Sequence, residues 1–149
     1  MKQKLVFLGD VNSINIELIQ KSHKLLKNKV NYLIIGNVRD LSEYLKKLSS
    51  NLDINEIYNP LNFKNFKLNS LNIFNVDDIS TEKYQNLLNQ IKIANQLANT
   101  LNMDLVTLPI NKSIFKKKLS FNGMTEYLAK LNKKIPQCLC MEKNFQLYL

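Results

Sequence analysis

The feature that most constrains this chain is an alternation, met twice near its start, of a short apolar run, a glycine and a helical stripe. Lys4 to Leu8 is mainly apolar and closes on Gly9-Asp10. Asn12 or Ser13 then stands where a helix cap belongs, and Ile14, Leu18, Ile19, Leu25 and Leu26 fall near one helical face. Val30 to Ile35 is a second β-rich run, ended by Gly36. After it, Asp40-Leu41-Ser42-Glu43 has the spacing of a capping box, and Leu41, Tyr44, Leu45 and Leu48 form a stripe. Parallel strands require a crossover, and helices are the usual crossovers. The alternation therefore predicts a three-layer α/β/α domain with a largely parallel or mixed sheet.

Further on, Asn59-Pro60 marks a turn between apolar pieces at Ile54 to Tyr58 and Leu71 to Val76, both readable as strands. From Ser80, residues Tyr84, Leu87, Leu88, Ile91, Ala94, Leu97, Ala98 and Leu101 keep a helical period and predict a long helix over the sheet. Met103 to Leu108 reads as a buried strand, and Pro109, which lacks an N–H, takes the chain out of the sheet. A lysine-rich loop at 116–118, a turn at Asn122-Gly123, a short helix from Thr125 to Leu131 and strand-like pieces at Gln137 to Met141 and Phe145 to Leu149 complete the pattern.

Composition narrows the function classes. The 149 residues carry 21 basic and 12 acidic side chains, a formal charge of +9, which in principle suits an anionic partner. Lysine is spread along the whole chain and asparagine occurs 22 times, so the charge looks like compositional bias and predicts no specific nucleic-acid surface. Sequence-tolerant binding of single strands would need basic residues gathered on one face with Tyr58, Phe63 or Phe66 exposed for stacking. No apolar run is long enough to cross a membrane or to act as a signal peptide, so a cytoplasmic location is expected. Cys138 and Cys140 read as thiols on one strand face, and His23 as a helix-surface residue remote from any motif.

Three segments, in order, resemble one family. Gly9-Asp10-Val11-Asn12-Ser13-Ile14-Asn15-Ile16-Glu17 is similar to the opening motif G-D-x-x-G-I-G-x-E of the 4-hydroxythreonine-4-phosphate dehydrogenases, with Ser13 and Asn15 in place of two glycines. Asp104-Leu105-Val106-Thr107-Leu108-Pro109-Ile110-Asn111-Lys112 resembles their D-x-[IV]-V-T-x-P-I-[NH]-K, and Phe121-Asn122-Gly123-Met124-Thr125-Glu126-Tyr127-Leu128 resembles their Y-x-G-H-T-E-x-L. The resemblance implies a fold related to isocitrate and isopropylmalate dehydrogenases, truncated to about its first half. It places a first α/β domain over residues 1–122 and the beginning of a second over 123–149.

The family oxidises 4-phosphohydroxythreonine with NAD and a divalent metal ion in vitamin B6 biosynthesis. The resemblance implies substrate-binding roles for Asp10, Asn111, Lys112 and Thr125, with Met124 where the family has a histidine. The family's metal histidines and cofactor-binding residues lie after the matched segments, so neither NAD nor metal is expected to be held by this chain alone. The implied partners are a phosphorylated small-molecule substrate and either a second copy or a complementing C-terminal half, with no membrane. Read from the residues alone, Asp10 is a helix-start cap before it is a ligand group at a strand end, and Lys112 a solvated lysine before it is a phosphate partner; only their places in the motifs lift them. Two functions therefore stand: a shortened dehydrogenase, or a binding or assembly module that keeps the fold without the chemistry.

Overall fold

A computed structural model describes residues 2–61, 65–115, 123–136, 139–142 and 145–148. The chain divides into two compact units, Met1–Asn111 and Lys112–Leu149. The first contains Lys2–Phe7 (β1), Asn15–Leu26 (α1), Val30–Gly36 (β2), Val38–Lys47 (α2), Asp53–Glu56 (β3), Ser70–Asn75 (β4), Lys83–Leu101 (α3) and Asp104–Thr107 (β5). Its five strands form one parallel sheet in the order β3-β4-β2-β1-β5. The expected α/β architecture is present, and the sheet is wholly parallel.

The strand order explains the three layers. Passing from β1 to β2 and from β2 to β3 moves the chain one way along the sheet, whereas β4 to β5 moves it back. Right-handed crossovers then place α1 and α2 on one face and α3 on the other. Leu8, Ile34, Leu71 and Ile73 of the sheet side pack with Ile16, Ile19, Leu41 and Leu45 of the two helices. Leu5, Phe7, Leu33 and Ile35 alternate to the opposite face, where α3 lies against β1, β2 and β5 and buries Leu87, Ile91, Ala94 and Ala98. Each fully buried Leu, Ile or Phe among them contributes about 1.5–3 kcal/mol by burial, the two alanines less.

Several local expectations need correction. The buried stripe of α1 is Asn15, Ile16, Ile19 and His23, while Ile14 and Leu25 face solvent. His23 is therefore no surface residue: it is 3% exposed, and its Nδ1 lies 2.7 Å from the Tyr32 hydroxyl. It shares the 3.6-residue period with Ile16 and Ile19, and a polar name hid that register. Neither Asn12 nor Ser13 is the N-cap of α1, which is Ile14 without a side-chain bond. In α2 the cap is Asn37, not Asp40; its side chain accepts from the backbone N–H of Arg39 and Asp40. α3 starts at Lys83, three residues after the expected Ser80, because Asn86 accepts from the N–H of Ile79 and Ser80 and donates to the Ser80 carbonyl, holding that segment in a turn. Asn102, at φ 50°, closes α3 in the left-handed region, where asparagine is tolerated. β5 is an edge strand with Val106 44% exposed, not a buried strand.

Among the described residues the second unit holds a 3-10 turn at Lys112–Ile114, the helix Met124–Leu131 (α4), and the antiparallel pair Leu139–Glu142 (β6) and Phe145–Tyr148 (β7). Cys140 lies on β6. Phe63, the lysines at 116–118, Phe121, Asn122 and Cys138 lie outside the described residues. Among those described, no helix is long and apolar enough to cross a membrane.

Candidate binding site at the carboxyl edge of the sheet

β1, β2 and β4 end side by side, and the chain leaves β2 and β4 toward opposite faces. In parallel α/β sheets such a switch point opens a crevice beyond the strand ends, where ligands bind. Here it has a volume of about 360 Å³ and is walled by the β1–α1 loop, one side of α2 as far as Lys47, and the start of α3 with the segment before it.

The β1–α1 loop turns at Gly9, whose φ of +70° lies in the left-handed region. A Cβ there would stand 2.8 Å from the Asn15 Nδ2 and 2.9 Å from the Pro109 carbonyl oxygen, so glycine is required twice over, by conformation and by space. Asn15, fully buried, donates from Nδ2 to the carbonyls of Leu8 (2.9 Å) and Pro109 (2.7 Å). One side chain thereby ties the end of β1 to the loop after β5. Sequence reasoning counted Asn15 as a lost glycine; the structure shows that it joins the first and second motif segments.

Asp10 is 4% exposed. Its Oδ1 accepts from the Asn12 N–H (3.1 Å), closing a small turn, and from the Lys83 Nζ (2.7 Å). The Ser13 hydroxyl donates to the Asp10 carbonyl at 2.6 Å and accepts from the Asn15 N–H at 3.3 Å, filling the space a glycine would leave with two local bonds.

β2 delivers Asn37 to the crevice floor directly after Gly36, which has to be small because a Cβ would meet the Leu8 side chain at 2.8 Å. The Asn37 Oδ1 is used in capping, but its Nδ2 is buried with no partner. One turn on, burial and then the neighbouring Asp78 and Glu43 raise the Asp40 carboxyl above its usual range, with Lys83 and Arg39 opposing them. From α3, Gln90 reaches the same space; it is 4% exposed, and its side-chain amide has no hydrogen-bond partner among the described residues. The crevice thus combines one buried amide donor without a partner, at Asn37, a second amide at Gln90 that opens to the space, a half-buried carboxyl and a wall of Leu8, Val11, Tyr44 and Leu87.

Of the residues singled out from sequence, Asp10 stands behind this crevice and holds Lys83. Asn111 ends the first unit, exposed, after the Pro109 loop that Asn15 secures. Lys112 opens the 3-10 turn of the second unit, and Met124 and Thr125 are the first two residues of α4 there. Lys83, Asn37, Asp40 and Gln90 were missed. Asn37 had one signal, its place just after a strand-ending glycine, and Gln90 another, a polar interruption in the stripe between Leu87 and Ile91.

The divalent ion implied by resemblance finds no fit here. Among the described residues, no three His, Cys, Asp or Glu side chains are grouped to hold a metal, and His23 is turned inward onto Tyr32.

The chain matches the family model described as pyridoxal phosphate biosynthetic protein PdxA over residues 24–148. A search of curated proteins finds no match. Among solved structures it is similar to a 4-hydroxythreonine-4-phosphate dehydrogenase from Burkholderia phymatum, at 18% identity and TM-score 0.80. It is also similar to one from Klebsiella pneumoniae, at 19% and 0.82. Each match covers 99% of this chain and 49% of the other, so the chain spans about half the length of these structures.

Proposed function

The chain belongs to the PdxA family, and from this premise we propose that it provides the first half of a 4-hydroxythreonine-4-phosphate dehydrogenase-like protein. In this reading it contributes the substrate side of an NAD-dependent oxidation of 4-phosphohydroxythreonine in the cytoplasm, with residues 1–122 as its first α/β domain and the second beginning at 123. Asn111, Lys112 and Thr125 are the substrate contacts in this reading, with Lys112 as a point charge for its phosphate, while Asp10 reaches a substrate only on release of Lys83. The observation that carries the reading is the Asn15 bridge, which holds the opening loop against the Pro109 loop at the sheet edge where α/β folds bind ligands.

Turnover in this reading needs a complementing half, or a longer chain, to supply the cofactor site and metal ligands; a second copy is the alternative partner. We therefore expect no reduction of NAD when the 149-residue protein is mixed with 4-phosphohydroxythreonine and zinc or magnesium. Chelator-sensitive growth of the reduced-cofactor absorbance would overturn this and require ligands on this chain.

A second reading, a binding or assembly module without chemistry, is favoured by Met124. The thioether has neither a strong donor nor a charge where the family has a histidine. Titration calorimetry separates the two: Met124→His strengthens binding of the phosphorylated substrate if the family's substrate site persists, and changes nothing if it does not.

A further inference from the structure

The crevice at the β2/β4 switch point makes chemical demands that the dehydrogenase reading does not use. Asn37 Nδ2 is a buried donor with no acceptor. Gln90, nearly as buried, brings an amide that both donates and accepts, and no hydrogen bond reaches the Asp40 carboxyl group among the described residues. A buried amide donor without a partner is uncommon because its lost hydration is not replaced, and Asn37 Nδ2 beside an open space that the Gln90 amide and the Asp40 carboxyl also face points to a guest that supplies the missing bond.

The lining also restricts the guest. Anions are disfavoured: Asp40, Glu43 and Asp78 outnumber Lys47 and Lys83, and Lys83 is already held by Asp10. An apolar guest would leave both amides unpaired. A cation would suit the carboxylates but would confront the Asn37 donor with positive charge. The hydroxyl is the group that donates to a carboxylate while accepting from an amide N–H, and two neighbouring hydroxyls can engage both oxygens of one carboxylate. At about 360 Å³, the space is within the range of small-molecule sites, and Leu8, Val11 and Leu87 offer an apolar surface for a ring.

We propose that this crevice binds an uncharged ligand bearing vicinal hydroxyls, a sugar or a ribonucleoside, with Asp40 accepting from the diol and Asn37 and Gln90 completing its hydrogen bonds. The inference rests on the first unit alone and stands whether or not the protein takes part in alcohol oxidation.

The test is titration of the full chain, followed through the side-chain amide signals of Asn37 and Gln90 in nitrogen-edited NMR spectra, with adenosine, 2′-deoxyadenosine, D-ribose and inorganic phosphate as probes. Adenosine is expected to shift both signals saturably, and 2′-deoxyadenosine to bind about tenfold more weakly for its broken diol. Ribose binding as well as adenosine marks a sugar site, and adenosine binding alone a nucleoside site. Phosphate should leave both signals in place. Asp40→Asn and Gln90→Leu should each weaken adenosine by about tenfold, with thermal melting as the check on folding. No saturable shift with adenosine or ribose, equal binding of adenosine and its deoxy form, or a phosphate shift at these amides would overturn the proposal. The deoxy comparison uses the unmodified chain and decides the matter however the variants fold.

Discussion

The two edges of the sheet bury polar groups for opposite ends. At the amino edge, His23, Tyr32 and Asn72 line a void of about 10 Å³, room for no more than a single water. Most of their bonding is internal: His23 Nδ1 meets Tyr32 although its Nε2 has no partner, while Asn72 accepts from Asn55 and the Lys67 N–H and donates to the carbonyls of Lys67 and Ser70. At the carboxyl edge, Asn37 and Gln90 are as deeply buried, yet they keep amide bonds unmade beside a space more than an order of magnitude larger. A buried polar group that is satisfied specifies the fold, whereas one left unsatisfied beside open space is available to a ligand.

The comparison yields a graded set of tests by chemical unfolding. The largest effect is expected for Gly9→Ala, which forces a side chain into the left-handed region and against the Asn15–Pro109 bridge, at a cost of about 3 kcal/mol. A loss below about 1 kcal/mol would mean that the bridge yields easily. Asn86→Leu comes next. It strands the N–H groups of Ile79 and Ser80 and the Ser80 carbonyl, and should lower stability by about 2 kcal/mol.

A smaller effect concerns pH at the amino edge. Burial, and then Lys27, holds the His23 imidazole below its ordinary value of 6.5. The unfolded chain therefore binds a proton at this site before the folded chain does. Stability from neutral His23 is complete above about pH 6.5 and is lost as pH falls below it toward the depressed folded value. His23→Leu should flatten the acid side of the stability profile; an unchanged slope would place the titration elsewhere. The smallest effect is expected for Gln90→Leu, within about 0.5 kcal/mol of the parent, because no internal hydrogen bond is lost. A loss as large as that of Asn86→Leu would erase the distinction between the two edges.

Much of the fold was legible in local signals. The apolar runs at Val30–Ile35 and Leu71–Val76, and the long stripe through Leu87, Ile91, Ala94 and Ala98, found their elements because strand and helix periods are properties of neighbouring residues. Caps were less legible. In a chain with 22 asparagines many residues can cap, and only geometry selected Asn37 over Asp40. The candidate site was read least well. Asp10 was found through its motif, but its partner Lys83 lies 73 residues further along, and nothing in the spacing of a lysine at a helix start identifies a distant carboxylate.

The alternation of strands and helices, the class of sheet that alternation requires and the family resemblance are each written in short stretches of residues. The strand order, which places the β2 and β4 ends together, is settled by contacts between residues far apart in the chain. Tertiary contacts also make Asn15 a bridge and not a blemish, and His23 core and not surface. The reason is physical. Whether a polar side chain is satisfied depends on groups brought near it from elsewhere in the chain, and Asn37, Gln90 and Asn86 have the same local character until the fold supplies partners to one and withholds them from the others.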